Sequence, residues 1–274
     1  MAREPAEPNA ADVTPDLALE LAQALVDEQF FLVYQPTIDL QTNAFAGVEA
    51  LIRWRHPRHG VLSPDRFIEE LEASGQIGPV GRWALSTACA QGAAWHDRGY
   101  RFNVSVNVSP RQFETPDFFR DVADALSTSR FDPSLLVLEF AQATLLGDRA
   151  QSTQRLEHLK TLGVRVAVDD FEPGTSALDE LEELPIDIVK LDREFIAGLS
   201  TSSEATSLVH SLVKRSETRH LQVIASGIED SEQRAQLKNE KVHVGQGYLF
   251  SKPHEAEEID RFLEDFAIFS GKPL

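Results

Sequence analysis

Eight short apolar runs, each closing on a polar or ionisable residue, constrain the fold of this chain more than any other feature. In order they are FFLVYQ, FAGVEAL, FNVSVN, LLVLE, VRVAVDD, IDIVK, LQVIAS and VHVGQ. Their polar residues are Gln35, Glu49, Asn107, Glu139, Asp169, Lys190, Ser226 and Gln246. The runs are rich in Val, Ile, Leu and Phe and too short for ordinary helices, so they read as buried strands. Stretches of helical period separate most of them, which predicts repeated strand–helix units and a parallel sheet. Eight such strands closed into a barrel would bring all eight polar residues to its C-terminal mouth, where this architecture keeps its chemistry. A chain of 274 residues suits one such barrel.

The first two runs are joined by TIDLQTNAF, which fits a hairpin rather than a helical crossover. The first strand is therefore expected to run antiparallel to the rest. Helices are predicted near residues 65–74, 79–98, 116–128, 150–162, 176–183, 203–218 and 231–239, with Asp148, Ser202 and Asp230 as caps. An earlier helix begins at Thr14 or Asp16. RHPRHGVLSP reads as a loop, and the tail from Ala256 carries a helical stripe of Ile259, Phe262, Leu263, Phe266 and Ile268. Residues 1–14, acidic and rich in Pro and Ala, are expected to be a disordered leader, with 15–274 forming a single barrel domain.

The net charge of −18 argues against broad binding to DNA, RNA or anionic membrane. It leaves room for a small anion, because a bound cation reverses the local field. The single cysteine, Cys89, reads as a small core residue. No signal peptide is evident and no run approaches the ~20 apolar residues of a membrane span. A soluble, cytoplasmic protein without direct membrane insertion is the expectation.

Mg²⁺ and Mn²⁺ prefer oxygen ligands in octahedral geometry. Glu49, Asn107, Glu139 and Asp169 would supply four such ligands, and Asp170 could help to hold a second ion. Lys190 would sit nearby to neutralise charge or position a water. The alternative is that these are polar strand ends satisfying the backbone and one another. Arg53 can pair with a phosphate in a bidentate way, or be an ordinary surface Arg. Tyr248 in the GQGY turn can stack on a base, or pack at the rim. His56 and His59 sit in a Pro/Gly loop, a poor setting for a metal pair. No G-x-S-x-G turn, P-loop or dinucleotide fingerprint occurs.

Glu49-Ala50-Leu51, followed by Arg53-Trp54 and His56-Pro57, resembles the motif that names the EAL-domain family of cyclic di-GMP phosphodiesterases and their inactive relatives. The likeness runs from about Phe30 to Pro253 through VYQP, NVS, LE, DDF, IVKLD, GQGY and SKP. It implies a modified TIM (β/α)8 barrel with an antiparallel first strand. It also implies Mg²⁺ or Mn²⁺ on Glu49, Asn107, Glu139 and Asp169, with Asp170 at a second metal. Lys190 and Gln246 would serve the reacting phosphate and water. Gln35, Leu51, Arg53, Glu229 and Tyr248 would hold the dinucleotide.

Three departures from that pattern stand out. Ser226 replaces an acidic residue of similar enzymes, and a hydroxyl cannot accept a proton near neutral pH as a carboxylate does. Gln142 replaces the Glu that anchors the loop after the fifth strand. That loop reads DDFEPGTSAL in place of a Gly-rich DDFGTGYSSL. The resemblance with these changes implies a degenerate EAL domain that binds cyclic di-GMP, or a signalling-protein partner, with weak or no hydrolysis. The alternatives are an active phosphodiesterase yielding pGpG and a nucleotide-free scaffold. Family members often form homodimers through elements near the altered loop.

Overall fold

The computed structural model describes residues 17–174, 179, 181, 184–199 and 202–270. Nine strands form one sheet: β1 (Phe30–Asp39), β2 (Phe45–His56), β3 (Gly60–Leu62), β4 (Asn103–Val108), β5 (Leu136–Ala141), β6 (Arg165–Phe171), β7 (Ile188–Leu191), β8 (Gln222–Ala225) and β9 (Val244–Gln246). Their order is β1-β9-β8-β7-β6-β5-β4-β2-β3, and a β1–β2 pairing closes eight of them into a barrel. The strand β1 is antiparallel to both neighbours, while pairings from β2 through β4 to β9 are parallel.

The hairpin between β1 and β2 has a local cause. Asp39 Oδ1 accepts from the backbone N–H groups of Gln41 and Thr42 at 2.9 and 2.7 Å, tying the turn. Beyond the expected strand, β2 runs on to His56, and β3 pairs back on it, so RHPRHGVLSP is a hairpin and not a plain loop. His56 is buried there. Its Nε2 lies 2.9 Å from Glu20 Oε2 on the helix Leu17–Val26, and its Nδ1 accepts from the Arg58 N–H. That hydrogen-bonding pattern gives His56 a structural role.

Period 2 along the strands sorts the barrel into layers. Leu136, Leu138 and Phe140 of β5, and Val166 and Val168 of β6, face the surrounding helices. Val137, Ala167, Ile188, Ile224 and Val244 form a separate apolar cluster inside the barrel. Two residues further along come Glu139, Asp169, Lys190 and Gln246 on the same strands and Ser226 just past the end of β8. The polar layer of the mouth thus rests on an apolar floor.

Helices at Ile77–Asp97, Phe118–Ser129, Arg149–Lys160, Ser203–Arg219 and Ser231–Asn239 cover the barrel, close to the predicted positions. The caps are those expected: Asp148 accepts from Gln151 N, Ser202 from Ala205 N, and Asp230 forms a capping box with Gln233. Cys89 is buried in the core. The tail helix Ala256–Ser270 docks through fully buried Ile259 and Leu263. The side chains of Phe266 and Ile268, the leader, and most of the predicted helix 176–183 lie outside the described residues. No helix among the described residues is long and apolar enough to cross a membrane.

Candidate functional site

The barrel strands bring polar residues to the mouth, two of them from β6 and one, Ser226, from just beyond the end of β8. Gln35 and Glu49 do so from within their strands, directly opposite one another in the antiparallel β1–β2 register. Asp169 and Asp170 arrive together through a break in register. Val168 pairs with Val189 and Phe171 with Leu191, so the two aspartates stand opposite Lys190 alone. Asp170 takes a left-handed backbone, φ 52°, to complete this bulge. Gly247 permits another close approach, since a Cβ there would fall 2.1 Å from the Ile228 carbonyl oxygen. The turn carrying Gln246 and Tyr248 is pressed onto that segment.

At the centre lies Lys190, buried, with Nζ 3.1 Å from both Glu49 Oε2 and Asp169 Oδ2 and bonded also to Glu139 Oε2. Glu49 is held from two other sides. Asn107 Nδ2 donates to its Oε1 at 2.7 Å, and Gln246 Nε2 donates to its Oε2 at 2.8 Å. Gln246 Nε2 is also 3.2 Å from Gln35 Oε1, and Gln35 in turn donates to the Ser251 carbonyl. A network this fully paired fixes the rotamers of its members.

Burial and charge set the protonation of the cluster. Burial pushes the Glu139 carboxyl up to about 8, with Lys190 opposing and Glu49 and Asp169 reinforcing the rise. At Glu49 burial acts in the same direction, but Lys190, Gln246 and Asn107 outweigh it and hold the carboxyl below the usual range. Burial disfavours the Lys190 charge, yet three carboxylates hold the ammonium well above its ordinary value. Asp170 is raised by desolvation and by Asp169 beside it.

The donor set fits a divalent cation. Glu49, Glu139 and Asp169 bring carboxylate oxygens within 4.8 Å of one another, and the Lys190 ammonium stands in for positive charge among them. Asn107 joins through its contact with Glu49 and retains its amide oxygen as a further donor.

Around this core the cleft is walled by Gln35, Leu51, Asp170, Arg193, Ser226, Glu229 and Tyr248, among others. Tyr248 is exposed, with Lys252 over its ring. Arg53 is half-buried and donates to the Ile52 carbonyl at 2.8 Å. An apolar pocket of about 420 Å³ adjoins through Glu49, Leu51 and Asn107 and extends between Pro64, Ile68 and Val80. Two features escaped the sequence reading. Arg193 lies on the cleft wall and pairs with Glu229 at 3.1 Å. Its place three residues after Lys190 in IVKLDREF was the available signal. Gln142 Oε1 accepts from the Glu172 N–H at 3.3 Å, a neutral partner for the first residue after β6.

An acidic cluster able to hold a divalent cation thus sits at the C-terminal mouth of a barrel with one reversed strand. The family profile for the EAL domain matches residues 18–253, and the chain belongs to that family. It is 36% identical over 256 residues to the cyclic di-GMP phosphodiesterase NbdA of Pseudomonas aeruginosa, covering 93% of this chain and 33% of that protein. It is also 36% identical over 241 residues to the bifunctional diguanylate cyclase/cyclic di-GMP phosphodiesterase MucR of the same organism, covering 88% of this chain and 35% of that one. The chain therefore spans about a third of the length of these curated relatives. Among solved structures, the PaMucR phosphodiesterase in complex with c-di-GMP superposes with a TM-score of 0.84 at 36% identity, covering 89% of this chain and 99% of that one.

Proposed function

We propose that this EAL domain binds cyclic di-GMP at the barrel mouth with a divalent cation and hydrolyses it weakly or not at all. Support for binding comes from the cation-ready cluster, from Gln35, Leu51, Glu229 and Tyr248 lining one cleft, and from similarity to a structure solved with this ligand. Mg²⁺ or Mn²⁺, when bound, supplies Lewis acidity toward the phosphodiester and lowers the pKa of water. Glu49, Asn107, Glu139 and Asp169 are the residues assigned to hold it, with Asp170 beside them. Lys190 and Gln246 orient and neutralise the phosphate. Leu51 and Tyr248 offer apolar and aromatic faces to the bases, and Arg53 offers a fork for phosphate.

The single observation that carries weak hydrolysis is Ser226. By the family resemblance its hydroxyl stands where similar enzymes carry a further acid, and it has no hydrogen-bond partner among the described residues. Without a carboxylate there, proton transfer during attack by water loses a group typically worth about 10²–10⁴ in rate. The Ser226→Glu variant tests this with Mg²⁺ and cyclic di-GMP: it is expected to yield pGpG at least tenfold faster than wild type. Equal rates would overturn the assignment.

A second reading, an active phosphodiesterase, is favoured by the Gln142–Glu172 contact, in which Gln142 still offers an acceptor to the residue just after β6. In that case wild type turns over without any restoration at Ser226.

A further inference from the structure

Ser226 Oγ is the one buried side-chain polar atom among the described residues that has no hydrogen-bond partner. Its backbone is fixed, because Ser226 N donates to the Leu191 carbonyl at 3.2 Å. The side chain continues the inward face of β8, two residues beyond Ile224 of the apolar floor. It lines the same cleft as Lys190, Asp169 and Gln246. A buried hydroxyl left unpaired costs stability, so one retained on a cleft wall is poised for a partner that arrives from outside.

Arg193 supplies the second half of the arrangement. Gly227 has φ +74°, and a Cβ added there would lie 2.3 Å from Arg193 Cγ. The Arg193 stem therefore lies against the residue next to Ser226, with its guanidinium on the cleft wall. Among the described residues that guanidinium pairs with exposed Glu229, at 3.1 Å, with both side chains more than half exposed. An exposed pair of this kind contributes little, so the guanidinium can exchange it for a phosphate, whose oxygens match its fork.

Resting on the reading of this mouth as a cyclic di-GMP site, we propose that Ser226 and Arg193 together form a seat for a non-bridging phosphate oxygen of the ligand. Ser226 is then a binding residue in its own right and more than a vacated acid. Its hydroxyl donates to the phosphate, Arg193 faces the same group from the rim, and Lys190 lies on the inner side.

The test is calorimetric titration of cyclic di-GMP in Ca²⁺ into wild type, Ser226→Ala and Arg193→Gln, with thermal melting of each ligand-free protein. Losing a hydrogen bond to a charged partner is expected to weaken binding by about tenfold or more in each variant. Ligand-free Ser226→Ala should melt at or above the wild-type temperature, because it removes an orphaned polar group. Wild-type affinity in Ser226→Ala overturns the seat while leaving the binding site intact. So does a lower melting temperature, which would mean the hydroxyl already serves the free protein. Absence of binding by wild type overturns the site assignment and the seat with it.

Discussion

Lys190 Nζ lies 3.1 Å from Asp169 Oδ2, and the two residues face each other across the register break in which Asp169 and Asp170 share one partner on β7. The same ammonium reaches Glu49 and Glu139. A cation entering this cluster must therefore compete with Lys190 for three carboxylates. Removing the ammonium while keeping the volume, as in Lys190→Met, is expected to destabilise the metal-free protein, because buried Glu49 and Glu139 and part-buried Asp169 lose their counter-charge. Mg²⁺ should then recover more stability in the variant than in wild type. Differential scanning fluorimetry over a Mg²⁺ series reads both effects; saturation near 100 times Kd corresponds to about 2.7 kcal/mol of stabilisation. Asp169→Asn should lose most of the Mg²⁺-dependent shift.

Glu139 provides a pH dependence. Its carboxyl rises from an ordinary value of 4.5 to about 8 on folding, chiefly through burial. Between those values the folded protein holds a proton that the unfolded chain has released. Stability of the metal-free protein should therefore fall as pH rises through that window, by at most about 1.4 kcal/mol per pH unit from this group, and level off above it. Glu139→Gln should flatten the slope in urea titrations at successive pH values. Metal binding expels the same proton, so Mg²⁺ affinity should climb with pH across the same window.

The Gln142–Glu172 contact tests how the loop after β6 is held. Gln142→Ala removes the acceptor of the Glu172 N–H, and hydrogen exchange at that amide should accelerate several-fold, the effect of a bond worth about 1 kcal/mol. Gln142→Glu keeps an acceptor and should preserve slow exchange. Equal exchange in all three proteins would remove the anchor from the account.

Docking of the first helix depends on Glu20, which bonds His56 and Arg58. The His56 contact leads the causes that hold its carboxyl below the usual range. A depressed carboxyl contributes stability above its unfolded value and loses it as pH falls through the folded value. Wild type should melt above Glu20→Gln at neutral pH, and the gap should close in the acid range. A gap that persists at low pH would assign the helix docking to packing on Trp54 and Phe67 instead.

The mouth was legible in the sequence because period 2 and short strand length leave few options. Val137 then Glu139, Ala167 then Asp169, and Ile188 then Lys190 are each a floor residue followed two places later by a site residue. The reversed β1 was legible from its short polar connection. The continuation of β2 to His56 was not, because Pro57 and Gly60 read as loop signals while the buried His56–Glu20 bond joins residues 36 apart. Nor were the Arg193–Glu229 and Gln142–Glu172 contacts, which depend on how segments following different strands meet above the barrel.

The central claim, that this mouth holds cyclic di-GMP and cuts it little, is tested most directly by one calorimetric titration run twice. Cyclic di-GMP is titrated into the protein with Ca²⁺ and then with Mg²⁺, and the ligand is recovered and separated from pGpG. A binding isotherm is expected in both, with largely intact ligand after the Mg²⁺ run. Complete conversion to pGpG in Mg²⁺ would contradict weak hydrolysis, and an absence of binding heat in both would contradict the site itself.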